Sequence, residues 1–140
     1  MNKIITLLIF HLFNMNLFSQ EYNETIEFIS SNPFSLNDII ENLDYQEKQE
    51  VFGKLIIPVD SNNLNKKYPL VIGVAGSLGW ADHHYEYLKM YREMGIATFE
   101  LNSFKSRGIS STVGTQNDVT IAAMIVDSYM ALEKLSTHPL

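Results

Sequence analysis

The stretch from Leu70 to Gly79 reads LVIGVAGSLG, and it decides the fold class. Its first six residues form a short continuous apolar run, typical of a strand that is covered on both faces in a parallel sheet. A glycine-rich turn, Gly76 to Gly79, follows at once and opens onto a segment with helical spacing. We therefore expect a central strand, Leu70 to Ala75, that leads through a tight turn into a helix.

The flanking segments predict further strands and helices in alternation. Apolar runs of strand length occur on both sides of the turn, and each helix has recognisable start or stop signals. The predicted elements are a strand Val51 to Val59, a helix with Asp82 as N-cap and Gly95 as stop, a strand Ile96 to Leu101, and a long helix that Thr115 and Asp118 begin at capping-box spacing and that runs through Leu135. This order predicts an α/β fold with a mostly parallel sheet flanked by helices.

Helical spacing also predicts which side chains the two helices bury. In the first helix the predicted face is His84, Tyr87, Leu88, Tyr91 and Met94. In the second helix it is Ile121, Ile125, Ser128, Leu132 and Leu135.

The N-terminus has the pattern of a secretory signal peptide. Lys3 supplies a positive charge, the run from Ile4 to Phe18 is mostly apolar, and Ser19 precedes a polar segment. We expect residues 1–20 to be the signal peptide, residues 21–50 a lead-in segment that contains a short helix from Leu36, and residues 51–140 the folded domain. This organisation predicts an exported protein, periplasmic or secreted, with no stable membrane span after cleavage.

Composition and charge exclude several function classes. The net charge is −6, and no basic stripe that would bind phosphates is present, so nucleic acid is not an expected partner. The absence of cysteine excludes disulfides, thiolate metal sites and a cysteine nucleophile within this chain. His83 and His84 are adjacent rather than four residues apart, so the sequence predicts no metal site.

The glycine-rich turn allows three interpretations, of which two involve a ligand and one does not. Small residues let a ligand approach the main-chain N–H groups, either as an oxyanion hole or as a phosphate cradle at a helix N-terminus. A nucleotide- or dinucleotide-binding Rossmann-like module would use Glu100, at the end of the next strand, to bind a ribose. However, Gly73, Gly76 and Gly79 do not form the G-x-G-x-x-G pattern. A turn with no ligand is the third interpretation.

Three segments together resemble the dienelactone hydrolase family of α/β-hydrolases, over about half of the chain. They are the strand and turn from Tyr68 to Trp80, the helix that contains His83-His84 and ends at Met94-Gly95-Ile96-Ala97, and the loop Asn102-Ser103-Phe104-Lys105-Ser106-Arg107-Gly108. The Ser-Phe-x-x-Arg-Gly part of the loop is the most diagnostic, because glycines at strand-to-helix turns are common. Two residues depart from the family pattern, since Ala75 and Asn102 stand where His and Asp are usual.

The resemblance implies a hydrolase of ester or lactone bonds that acts on a small-molecule substrate without a cofactor. The main-chain N–H of Ser77 or Leu78 would be an oxyanion donor, and Gly76 and Gly79 would support that loop. Arg107 would be either a loop organiser or a cation that faces the substrate.

The catalytic triad is the feature that the sequence lacks. No G-x-S-x-G or G-x-C-x-G motif occurs, and the family places that motif on the strand after the helix that ends near Leu135. We therefore expect an α/β-hydrolase fold truncated before the nucleophile strand, with the triad after Leu140 and no activity in this chain alone. His83, His84 and His138 are expected to be surface or packing residues. A non-catalytic exported remnant stays open as an alternative, and the oligomeric state is not predicted.

Overall fold

A computed structural model describes residues 20–60 and 66–139 of the chain, and the α/β class is confirmed there. Four strands form one sheet, and helices flank it. The elements are β1 (Gln20–Ser31), α1 (Leu36–Glu41), β2 (Lys48–Val59), β3 (Leu70–Val74), α2 (Asp82–Glu93), β4 (Ala97–Leu101) and α3 (Ile121–Ser136). Apart from Gln20, the predicted signal peptide lies outside the described residues.

The sheet is mixed, so the expectation of a mostly parallel sheet is wrong for the described residues. The strand order is β1-β2-β4-β3. β1 pairs with β2 and β2 pairs with β4 in antiparallel fashion, while β3 and β4 are parallel. The parallel pair is joined through α2, as a parallel connection requires a crossover.

β1 lies in the segment that the sequence analysis treated as a lead-in. Its 12 residues pair along their whole length with β2, so this segment is part of the sheet. Ile26, Phe28 and Ser30 are buried, while Glu27 and Ile29 between them are exposed. This alternation has the period of two that marks a half-buried strand. The alternation is hard to see in the sequence because polar residues dominate the segment.

The main core lies between one face of the sheet and α3. Val51 and Leu55 of β2 and Phe99 of β4 are at most 2% exposed, and Ala131 and Leu135 of α3 pack against the same cluster. Gly53 leaves space within this core, because a Cβ at that position would overlap the Phe99 ring. Phe99 therefore fills the space beside a residue that has no side chain.

α2 covers the opposite face of the sheet with fewer buried side chains than expected. It begins at Asp82, with Ala81 rather than Asp82 at the N-cap position, and Gly95 follows it with φ +79°. Of the predicted face, Leu88 is buried, whereas Tyr87 is 59% and Met94 71% exposed. None of the helices within residues 20–60 and 66–139 has the length and hydropathy needed to cross a membrane.

β3 is at the end of the sheet rather than at its centre. Within the described part of the chain it pairs with β4 alone, and its residues from Leu70 to Gly73 are half-buried. Val74 is exposed, so the expectation of a strand covered on both faces is not met. The unpaired edge leaves one side of β3 without the neighbour that would complete its burial.

α3 begins later than predicted, and of the predicted face only Leu135 is buried. Its N-cap is Thr120, whose hydroxyl accepts a hydrogen bond from the N–H of Ala123 at 3.0 Å. Thr115 and Asp118 lie in turns before the helix. Leu135 is buried as predicted, but Ile121 is 76% and Leu132 51% exposed. The other buried residues are Ala122, Ala123, Val126, Asp127 and Ala131. The buried face includes Asp127, a polar residue that a pattern of apolar residues does not indicate.

Candidate functional site

The glycine-rich turn has the geometry of a four-residue β-turn. The N–H of Gly79 donates to the carbonyl oxygen of Gly76 at 2.8 Å, so Ser77 and Leu78 are the two central residues. That hydrogen bond does not use the N–H groups of the central residues. Within the described part of the chain neither group has an acceptor. Successive free N–H groups in a turn attract negative charge.

The loop that follows β4 holds this turn in place. The carbonyl oxygen of Ser77 accepts hydrogen bonds from the N–H of Thr112 at 2.9 Å and from the hydroxyl of Ser111 at 3.0 Å. Gly79 has φ +75°, and a Cβ there would lie 2.8 Å from the carbonyl oxygen of Ser110. Gly79 is therefore required both for the left-handed backbone and for the close approach of the loop.

A pocket with a volume of about 420 Å³ lies at the carboxyl ends of β3 and β4. The parallel strands bring the glycine turn and the loop after β4 to the same edge of the sheet, which is where ligands bind in open α/β sheets. The structure places Leu78 and Gly79 in the pocket wall, and Gly76 and Ser77 next to them in the chain. The lining residues are Val74, Ala75, Leu78, Gly79, Trp80, Leu101, Asn102, Ser103, Phe104, Lys105, Gly108, Ile109, Ser110 and Met124.

Trp80 is a pocket residue that the sequence analysis did not single out. Its indole Nε1 donates to the carbonyl oxygen of Leu101 at 2.9 Å, and its ring stacks on Tyr85 with centroids 5.7 Å apart. Gly73 makes space for it, since a Cβ there would lie 2.7 Å from the indole. In the sequence, a glycine within the strand and a tryptophan after the turn together indicate that the indole packs against the strand.

Asn102 joins the end of β4 to the pocket loop. Its Nδ2 donates to the carbonyl oxygen of Glu100 at 3.1 Å and to the Glu100 carboxylate at 3.2 Å. These two acceptors fix the orientation of the amide. Among the described residues, the Asn102 Oδ1 and the Ser103 Oγ are buried side-chain atoms without a hydrogen-bond partner. Asn102 thus places a neutral amide, with an oxygen that has no donor among the described residues, beside the pocket loop.

Arg107 lies between the pocket loop and α3 and is not among the residues that line the pocket. Its guanidinium pairs with the carboxylate of Asp127 on α3 through Nη1–Oδ2 at 2.8 Å and Nη2–Oδ1 at 3.1 Å. Nη1 also donates to the carbonyl oxygen of Ser103 at 2.9 Å, and Nε donates to Asn32 Oδ1 at 2.8 Å. Ser30 of β1 donates to the same Asp127 carboxylate. These contacts are those of a loop organiser, and they tie the loop to α3 and to β1.

The sequence pattern indicated neither Asp127 and Asn32 as partners of Arg107 nor Ser30 as a partner of Asp127. Asp127 is fully buried, and the side chain of Arg107 is 6% exposed. The sequence around Asp127 does not indicate which cation will pair with it, because Arg107 lies 20 residues away in the chain. The pairing appears only when α3 lies across the sheet.

None of the three histidines in the described part of the chain, His83, His84 and His138, lines the pocket. Nδ1 of His84, in the first turn of α2, accepts from the N–H of the N-cap residue Ala81 at 3.0 Å, and the ring of His83 lies beside that of His84. His138 contacts Glu24 of β1 at 3.1 Å. The pKa of Glu24 is lowered because His138, and to a smaller extent the hydroxyl of Tyr22, hydrogen-bond to its carboxylate.

Glu100, the residue that a nucleotide-binding interpretation would use, is engaged within the protein. Its carboxylate accepts from Asn102 and from the hydroxyl of Tyr85 at 3.4 Å, and Lys105 lies 4.0 Å away. Burial and the neighbouring Glu100 charge raise the pKa of Tyr85. The side chain of Glu100 is 14% exposed and lies beside α2, so little of it is available to a ribose.

The site can bind an apolar group and stabilise negative charge on an oxygen atom. Among the residues that line the pocket, Lys105 is the one ionisable side chain, so the described part of the site offers neither a nucleophile activated by a base nor a general acid. Searches against protein-family models, curated proteins and solved structures found no match to this chain.

Proposed function

We propose that this chain is the N-terminal part of an α/β-hydrolase that cleaves ester or lactone bonds, and that it supplies the oxyanion loop. One observation carries the proposal. The turn Gly76 to Gly79 leaves the N–H groups of Ser77 and Leu78 without acceptors in the described residues, next to a pocket at the carboxyl end of β3. Main-chain donors fixed in this way stabilise the oxyanion of a tetrahedral intermediate.

The strand arrangement supports the same proposal. In the α/β-hydrolase order, the strand before the oxyanion turn lies between the next strand in the chain and the nucleophile strand. Here β3 pairs with β4 on one edge, and its other edge has no partner among the described residues. A nucleophile strand added at that edge would end beside the glycine turn, because parallel strands finish at the same edge of a sheet.

The proposed chemistry divides between this chain and residues C-terminal to it. A Ser or Cys nucleophile, deprotonated by a histidine, attacks the ester carbonyl carbon, and the carbonyl electron pair moves to oxygen. The N–H groups of Ser77 and Leu78 hold that oxyanion. Collapse of the intermediate expels the alcohol, which takes its proton from the histidine, and water then releases the acid. Arg107 acts by fixing the loop through Asp127.

Reading the DNA beyond the codon for residue 140 tests the proposal. We expect an open frame that encodes Gly-x-Ser-x-Gly or Gly-x-Cys-x-Gly within about twenty residues, since loops between such elements are short. We expect the longer protein to hydrolyse a nitrophenyl ester. An authentic stop codon after residue 140 would contradict the proposal and favour a non-catalytic exported remnant. The chain of residues 1–140 should show no hydrolysis above background.

Two variants of the longer protein test the role of the turn. Proline at the second residue of a β-turn preserves the turn but removes the N–H. Ser77→Pro should therefore lower kcat about 10²–10³-fold, as expected for loss of one oxyanion donor. Ser77→Ala keeps the N–H and should retain far more activity than Ser77→Pro. Equal losses in the two variants would show that the hydroxyl, and not the backbone, is the functional group.

We also propose that the protein is exported with cleavage near Gln20. The apolar run from Ile4 to Phe18 and the polar segment that begins at Glu21 support this. N-terminal sequencing of the secreted or periplasmic protein should start close to Gln20. Recovery of the chain with Met1 intact from the soluble cytoplasmic fraction would contradict the export proposal.

A further inference from the structure

We infer that the pocket receives an uncharged, apolar acyl group, so that the substrates are esters of neutral acids rather than esters that carry a second carboxylate. This inference rests on the proposed function, because it assigns the part of an ester that the pocket would hold. The binding of an ester to the pocket of this chain can also be measured without catalysis.

The pocket walls are mainly apolar. A volume of about 420 Å³ lies in the range of small-molecule sites, which is about 300–1,000 Å³. The apolar walls come from three parts of the fold: β3 with the glycine turn, the loop after β4, and α3. Their side chains include those of Val74, Leu78, Trp80, Phe104, Ile109 and Met124. Burial of an apolar chain against these groups is favourable because it removes apolar surface from water.

Among the described residues that line the pocket, no buried cation is available to pair with a second carboxylate. The side chain of Lys105, the one ionisable group among the lining residues, is 60% exposed and lies 4.0 Å from Glu100. The Arg107 guanidinium is 6% exposed and bonded to Asp127, Ser103 and Asn32. With the ester carbonyl at the Leu78 N–H, a second carboxylate at the far end of the acyl chain would lose its hydration among apolar side chains without gaining a buried cation, which is unfavourable.

The N–H of Leu78 can hold the carbonyl end of the substrate at the pocket wall. Leu78 lines the pocket, and its N–H has no acceptor in the described residues. An ester carbonyl at that N–H would direct the acyl chain towards the apolar walls. Trp80 is held by its hydrogen bond to Leu101 and by its stacking on Tyr85, so one wall is formed before a ligand arrives.

Trp80 also provides the measurement, because it is the one tryptophan of the chain. The full chain is titrated with ethyl hexanoate and with monoethyl adipate, which has the same acyl length but a carboxylate at its far end. We expect a saturable change in Trp80 fluorescence with ethyl hexanoate and at least about tenfold weaker binding of the adipate monoester at pH 7. Equal binding of the two esters, tighter binding of the adipate monoester, or no binding of either would overturn the inference.

A pair of matched variants locates the binding site. Leu78 and Ile121 are 77% and 76% exposed, and only Leu78 lies in the pocket. Leu78→Asp should abolish the binding of ethyl hexanoate, whereas Ile121→Asp should retain it. Met124→Glu places a charge on the pocket wall formed by α3 and should cause the same loss of binding as Leu78→Asp. Because Met124 is not in the glycine turn, this variant shows that the loss does not come from a disturbed turn. Retention of binding in both pocket variants would overturn the inference.

The two proposals fail in different ways. If the longer protein hydrolyses esters while the adipate monoester binds as well as ethyl hexanoate, the function stands and the acyl inference is wrong. If ethyl hexanoate binds selectively while the longer protein hydrolyses no ester, the pocket assignment stands and the hydrolase proposal is wrong.

Discussion

Arg107 and Asp127 form a two-point ion pair that is closed off from solvent and joins the pocket loop to α3. The two guanidinium–carboxylate contacts are 2.8 and 3.1 Å long, and the Asp127 side chain is fully buried. Removing one partner of such a pair leaves an uncompensated buried charge, which is more costly than replacing both partners. The pair is therefore expected to be sensitive to single substitutions.

Asp127→Ala should lower the free energy of unfolding by about 3–5 kcal/mol, because Arg107 then stays buried without its counter-charge. Urea unfolding of the variant measures the loss. Lys89→Ala is the control, since Lys89 pairs with Glu93 on the exposed surface of α2, and its loss should cost less than about 0.5 kcal/mol. The double variant Arg107→Met with Asp127→Leu should be more stable than Asp127→Ala. A double variant as unstable as the single one would show that the charge is not the cause.

Gly79→Ala should destabilise the protein by at least about 1–2 kcal/mol, because alanine disfavours a left-handed backbone. Contact of its Cβ with the Ser110 carbonyl oxygen, 2.8 Å away, adds to this cost. Gly76→Ala is the matched control in the same turn, since a Cβ there meets nothing within 4 Å and should change stability by less than about 0.5 kcal/mol. Thermal unfolding of both variants checks the difference. Similar melting temperatures for the two variants would refute the proposed packing of the loop on the turn.

Thr120→Ala should cost about 1 kcal/mol, because Thr120 caps α3 by accepting from the N–H of Ala123 and also donates to the carbonyl oxygen of Pro33. Thr115→Ala, in an exposed turn that the sequence analysis took for the helix start, should be close to neutral. Chemical denaturation distinguishes the two. A larger loss of stability in Thr115→Ala than in Thr120→Ala would indicate that the helix begins near Thr115, as the sequence predicted.

The Glu24 carboxylate should titrate below its ordinary pKa of 4.5, because His138 and Tyr22 hydrogen-bond to the ionised form. A depressed pKa in the folded state means that the stabilisation is present above about pH 4.5 and is lost as the pH falls through the folded-state pKa. Carboxyl-carbon NMR on the chain should give a titration midpoint that rises towards the ordinary value in His138→Ala and, to a smaller extent, in Tyr22→Phe. A midpoint that is the same in all three proteins would contradict the role of these contacts.

The sequence predicted the features that depend on local order. The apolar run before Gly76 indicated β3, the glycine turn indicated the change from strand to helix, and Gly95 marked the region where α2 ends. Each of these follows from the period of apolar residues or from the φ angle that glycine permits within a few residues. The α/β class and the position of the candidate oxyanion turn could be predicted for this reason.

The tertiary structure alone decided the features that depend on partners distant in the chain. β1 is a strand because Ile26 and Phe28 meet β2 and the core, and the antiparallel pairs make the sheet mixed. The buried face of α3 includes Asp127, which a hydrophobic pattern assigns to solvent. Burial of that carboxylate becomes favourable only when Arg107 and Ser30 come within hydrogen-bond distance, and the packing of α3 across β1 and the pocket loop brings them there.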